Sequence, residues 1–136
     1  YLYHCLQLLL YYGAIASTIA HDSHNIIVIG DSDRDMVLAI RELERVGGGI
    51  TMVSEGSVID TLPLTIGGLM SEEPLEEVDE KLSKMLEIAY EKLNVSRDIE
   101  PFMTLSFIAL PVIPNIKVTD MGLFDVGEFK FINLSI

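Results

Sequence analysis

A single cysteine, no tryptophan, and nine basic residues against twenty-one acidic ones mark what this 136-residue chain has little of. Cys5, standing alone, forms no internal disulfide and supports no zinc site built on several thiolates, so a reducing cytoplasm is the expected compartment. The net charge of -12 repels phosphate backbones, which need Lys or Arg to neutralise them, and anionic bilayer surfaces as well. Neither nucleic acid nor membrane is therefore an expected partner. Charged residues make up only 22% of the chain and apolar ones 49%, which excludes intrinsic disorder. The length suits one domain able to bury roughly two thirds of its unfolded-chain surface.

A second absence is local. Residues 1–20 contain no Asp, Glu, Lys or Arg. A membrane span or signal peptide is a poor reading of this run, because His4 and Gln7 interrupt it, no positive charge flanks it, and neither an initiating Met nor a basic leader region is present. A buried segment is the expectation. Residues 71–100 are the opposite extreme, with ten acids and four bases. Within them Leu75, Val78, Leu82, Met85, Leu86, Ala89, Tyr90 and Leu93 recur at helical spacing, so a helix over 74–93 is predicted, with its acids on a solvated face.

The remaining chain alternates short elements. Residues 25–30 read as a buried strand. Asp31, Ser32 or Asp33 can cap a helix over 33–46 with Met36, Val37, Ile40, Leu43 and Val46 on its buried side. Residues 50–53 and 58–62 make a hairpin around Ser54-Glu55-Gly56-Ser57, and Pro63 closes it. The apolar stretch 101–110 fits a short helix or a strand equally, while 117–119, 123–126 and 129–134 read as strands. The predicted class is α+β (mixed α/β): a single domain with a largely antiparallel or mixed sheet flanked by helices 33–46 and 74–93.

The chemistry-bearing residues concentrate in His21-Asp22-Ser23-His24-Asn25. A polar turn with locally satisfied side chains, a ligand or active-site contact, and a small metal site are three open readings. A triad from adjacent residues is disfavoured, since triads are assembled from distant positions. Gly47-Gly48-Gly49 follows a helix where a phosphate loop precedes one, so a helix C-cap is expected. Gly67-Gly68, with Met70 and Ser71, forms a loop whose backbone can approach a ligand, a partner domain or its own core. Met52, Met70, Met85, Met103 and Met121 are read as core filler or interface.

An ordered series of these segments resembles the carboxy-terminal domain of bacterial and archaeal adenine deaminases, in the amidohydrolase superfamily. The series runs from 13–30, with its His21-Asp22-Ser23-His24-Asn25 core, through Gly47-Gly48-Gly49, Leu62-Pro63-Leu64 and Gly67-Gly68-Leu69-Met70-Ser71. It continues with Pro101-Phe102-Met103-Thr104-Leu105-Ser106-Phe107 and Leu110-Pro111-Val112-Ile113-Pro114. The resemblance implies hydrolysis of adenine to hypoxanthine and ammonia in purine salvage, at a manganese- or iron-dependent two-metal centre. Its ligands would lie in an upstream (β/α)8 barrel, including a His-x-His element absent from this chain. Such a barrel needs ~250 residues. The resemblance thus assigns no metal ligand and no catalytic residue here, and no cofactor to this chain alone. It leaves His21, Asp22, Ser23, His24 and Asn25 as candidate contributors to the barrel's cleft, and Gly67, Gly68, Met70 and Ser71 as a ligand- or domain-contacting loop.

Residues 1–12 depart from the family pattern, which gives an organisation of an atypical apolar segment 1–12 and a family-like domain 13–136. If the segment replaces native strands, the sheet loses an edge and a homo-oligomer is expected. The functional expectation is an accessory domain, inactive alone and partnered by the upstream barrel. A free-standing small-ligand-binding module, or an oligomerisation module using residues 6–12, is the alternative.

Overall fold

A computed structural model describes residues 10–133 of the chain. The first nine positions of the apolar segment, and the last residue of the strand expected over 129–134, lie outside the described residues.

Four antiparallel strands make the main sheet: β1 (Ala14–Ser17), β2 (Ile27–Gly30), β3 (Gly49–Ser54) and β4 (Ser57–Pro63), in the order β2-β1-β3-β4. Strand β1 is fully buried. Its side chains alternate between two cores, as the period of two demands. Ala14 and Ala16 join Val53 beneath helix α1 (Asp33–Val46), packing on Ala39 and Leu43. Ile15 faces the other way, with Ile50 and Met52, against Met85, Ala89 and Leu93 of the second helical layer and Phe102 and Leu105 of the third helix. Sequence pattern missed this strand because Ala-Ile-Ala-Ser carries one β-branched side chain, and its small residues serve the close approach of α1 rather than strand propensity. The expected burial of the uncharged stretch holds for Leu10 and residues 13–17, whereas Tyr11 and Tyr12 stand exposed.

Ser32 is the cap of α1, accepting the Asp35 N–H, and Gly47 ends the helix in the left-handed region at φ 85°. The buried stripe differs from the expected one. Asp35, Ala39, Glu42 and Leu43 lie inside, Met36, Ile40 and Val46 are half-buried, and Val37 is exposed. Two carboxylates can occupy the interior because each is satisfied: Asp35 accepts the Gly56 N–H at 2.9 Å, and Glu42 receives Arg45 and Thr61. Glu55 and Gly56 both have positive φ, the turn that a two-residue hairpin with right-handed twist requires.

Helix α2 (Leu75–Lys92) is the predicted acidic helix. Its inner face is Met85 and Ala89, with Val78, Leu82, Leu86 and Tyr90 partly covered, and Glu76, Glu77, Asp79, Glu80, Glu87 and Glu91 are exposed. Asn94, at φ 54°, turns the chain away. The undecided stretch 101–110 begins as helix α3 (Pro101–Ser106), with Pro101 in the first turn and the Glu100 carboxylate capping the Met103 N–H. Strands β5 (Ile116–Thr119), β6 (Gly122–Asp125) and β7 (Lys130–Phe131) form a separate antiparallel sheet.

Candidate functional site

The His21–Asn25 cluster lies in the connection between β1 and β2, two neighbouring antiparallel strands, so residues 18–26 form a long hairpin loop. The loop is tied at a few points. The His21 N–H donates to the Ser106 carbonyl at 3.0 Å, and the His24 N–H to the Ala20 carbonyl at 2.7 Å. The imidazole of His21 stacks on Phe107, with ring centroids 4.6 Å apart and planes 23° from parallel. His21 is half-buried; Asp22, Ser23, His24 and Asn25 are exposed.

A groove of about 880 Å³ opens beside this loop. One wall is His21, Asp22, Ser23 and Asn25 continuing into Ile26–Val28; the others come from residues 108–112, after α3, and from residues 118–120 of β5 and its turn. The loop is therefore the polar end of a mostly apolar groove.

Chemically the cluster is limited. No hydrogen bond joins Ser23 to an imidazole or to Asp22, so no nucleophile and base are paired there. The His21 and His24 ring centroids stand 6.4 Å apart, and among the described residues no group of three or more His, Cys, Asp or Glu side chains can hold a metal ion. The two-metal centre that the resemblance implies does not fit this set of donors. What the loop offers is the His24 imidazole, a carboxylate, a hydroxyl and an amide, exposed on a base that His21 holds by stacking and hydrogen bonding.

The second candidate loop is held differently. Ile66 and Met70 form an isolated bridge, with Gly67 and Gly68 at positive φ between them. The Thr18 hydroxyl donates to the Gly68 carbonyl at 2.5 Å and accepts the Gly49 N–H at 2.8 Å. A Cβ on Gly48 would lie 2.5 Å from the Gly68 Cα. Gly48 and Gly68 thus bring two backbones into contact, and what Gly68 approaches is the domain's own core. Gly67 and Met70 are exposed, and Ser71, half-buried, accepts the Glu73 N–H at 3.1 Å and lines a smaller groove of about 360 Å³ with Leu62, Glu77 and Lys81. The structure does not place Gly67–Ser71 in the groove of the histidines. Of the methionines, Met52 and Met85 are core, while Met70, Met103 and Met121 are exposed.

Sequence reasoning missed Thr18, Ser106, Phe107 and residues 108–112. Phe107 was legible only as an aromatic within the apolar stretch 101–110, followed by Pro111, which lines the groove wall. Thr18 carried no signal, since its partners lie 31 and 50 residues away.

An α+β domain with a two-faced antiparallel sheet, a polar hairpin loop at the end of an open groove, and no metal cluster among its described residues is the class that fold and site define. Comparison with known proteins gives the family: residues 7–130 match the adenine deaminase C-terminal domain, and the chain belongs to that family. It is 60% identical over 124 residues to an adenine deaminase of Nitratidesulfovibrio vulgaris, covering 91% of this chain and 22% of that protein. An adenine deaminase of Clostridium acetobutylicum is 61% identical over 120 residues, covering 88% and 21%. One from Halalkalibacterium halodurans is 54% identical over 121 residues, covering 89% and 20%. The chain spans about a fifth of the length of these curated relatives. Among the described residues no helix is long and apolar enough to cross a membrane.

Proposed function

We propose that this chain is the accessory C-terminal domain of an adenine deaminase acting in cytoplasmic purine salvage, in which adenine and water give hypoxanthine and ammonia. The observation that carries the reading is the family match, which spans about a fifth of each relative. In this reading the manganese or iron centre belongs to the upstream barrel, where it would supply the activated water. The domain's own contribution is to cover part of the cleft, with His24, Asp22, Ser23 and Asn25 facing substrate or barrel and His21 holding the loop against Phe107. The proposed organisation is a family-like domain over 13–136 preceded by an apolar segment over 1–12, into which the family match extends as far as residue 7. The assembly is a homo-oligomer through its upstream part or through the apolar segment.

The test is ammonia release from adenine. The isolated chain with added manganese is expected to show none, and addition of the upstream part of the Nitratidesulfovibrio relative is expected to give an active complex. Turnover by the isolated chain would overturn the proposal. A rise in melting temperature with adenine alone, scaling as RT ln(1 + [L]/Kd), would favour the ligand-binding module instead.

A further inference from the structure

The two edges of the main sheet are not treated alike. Strand β4, at one edge, ends in Pro63, which has no N–H to offer, and Asp60 within it is paired to Lys81 of α2. Strand β2, at the other edge, reads Ile-Val-Ile-Gly, preceded by Ile26, with no charge and no proline. Among the described residues no strand pairs with its outer side. All four of its residues are half-buried, in contrast to the complete burial of β1.

The ladder phase shows which groups that outer side presents. The Thr18 N–H donates to the Gly49 carbonyl, so even-numbered residues of β1 bond toward β3. The Asp31 N–H donates to the Gly13 carbonyl, so the odd-numbered residues of β1 and β2 bond to each other. Antiparallel pairs alternate, which turns the N–H and C=O groups of Ile26, Val28 and Gly30 outward. The large groove runs along this line. It is lined by Ile26, Ile27 and Val28 consecutively, and since neighbouring strand side chains point to opposite faces, a groove touching all three follows the strand's edge. Ile108, Leu110, Val112 and Val118 form its apolar walls, with Asp22 and Asp120 at its polar parts.

We propose that the outer edge of β2 receives an extended, β-branched strand without acidic residues from the upstream part of the adenine deaminase chain, lengthening the sheet by one strand and filling the groove. This rests on the reading of the chain as an accessory domain. Main-chain bonds to Ile26, Val28 and Gly30 supply the affinity, and alternate side chains enter the apolar groove. About four fifths of each matched relative lies outside the region this domain covers. A second copy would bring another net charge of -12, with its own Asp22 and Asp120, against the two carboxylates of this groove. The added strand lies beside His21, Asp22, Ser23 and Asn25, so pairing would fix the position of that loop relative to the upstream part.

The experiment mixes this chain with the upstream part of the Nitratidesulfovibrio relative and follows complex formation by light scattering and amide exchange by NMR. Exchange at Val28 is expected to slow at least about tenfold on mixing, with no change along β4. Val28→Pro removes an outward donor, which edge strands tolerate, together with a half-buried side chain packed on the α1 core, and should weaken assembly at least about tenfold. Val118→Asp, on the exposed groove wall, should do the same without touching the ladder, with protection of the Ile15 amide reporting an intact core in both variants. A complex in which Val28 exchanges as in the free chain would overturn the strand addition while leaving the accessory-domain reading standing. Protection of Val28 by self-association before mixing would also overturn it, in favour of a second copy. Failure of any complex to form would overturn the accessory-domain reading and this inference with it.

Discussion

The main sheet and the small sheet are both antiparallel, yet one is covered on both faces and the other leaves much of its apolar surface exposed. In the main sheet β1 sits between α1 on one face and α2 with α3 on the other, and its side chains divide cleanly between the two cores. In the small sheet Phe124 packs edgewise on Phe129 and Phe131 at 5.3 and 5.2 Å, and that cluster is left largely open among the described residues: Phe129 is 80% exposed, and Val118 and Phe131 are exposed as well. The difference shows where the stability of this domain resides. Covered apolar surface stabilises the fold at ~25 cal/mol per Å² removed from water, and the small sheet removes little.

That contrast orders the expected effects of substitution. Met52→Ala in β3, at a position with no exposure, should cost about 2–5 kcal/mol in denaturant unfolding, since it leaves a cavity between the sheet and the second helical layer. If it costs no more than a surface change, the main sheet is not the stabilising unit. Thr18→Val keeps the shape but leaves the Gly49 N–H and the Gly68 carbonyl without their partner, for an expected loss of about 1–3 kcal/mol, whereas Ser23→Ala in the same hairpin loop should change stability little. Equal effects of these two variants would show that Gly67-Gly68 is not anchored through Thr18. Asp31→Ala removes the carboxylate that accepts both the Tyr12 and Gly13 N–H groups where the chain enters β1, and a loss of about 1–2 kcal/mol is expected by the same assay.

A pH series refines the picture on the α1 side. The hydrogen bonds from Arg45 hold the Glu42 carboxyl below the usual carboxylate range; burial opposes the shift, and the Arg45 charge and Thr61 add to it. A group whose folded value is depressed stabilises the protein above its unfolded value and loses that contribution as pH falls through the folded one. Glu42→Gln should therefore be less stable than the parent at neutral pH, with the gap closing as the solution is acidified below ~4. A gap unchanged by acid would assign the effect to packing. At the small end, Phe129→Ser should stay within about 0.5 kcal/mol of the parent, because the ring it removes is mostly in water already.

Much of the fold was legible because its signals are local. The acidic helix, the hairpin at Glu55-Gly56 and the C-cap at Gly47 each follow from spacing or turn chemistry within a few residues. The inner face of α1 was not, because Asp35 and Glu42 are buried on partners in the β3–β4 hairpin that only folding brings near. The candidate site divides the same way. His21-Asp22-Ser23-His24-Asn25 was conspicuous as a cluster, but its base on Ser106 and Phe107 joins positions some 85 residues apart.

By itself the sequence determined the α+β class, the acidic exposed helix, the family and the identity of the polar loop, because composition, periodicity and ordered motifs are properties of the chain read in one dimension. Only the tertiary structure decided that an Ala-Ile-Ala-Ser segment is an inner strand, that Gly48 and Gly68 are spaced for each other, and that β2 is an edge strand among the described residues, beside an apolar groove. Each of those depends on which distant backbone lies within bonding or van der Waals distance, and that is set by how the two cores close around β1.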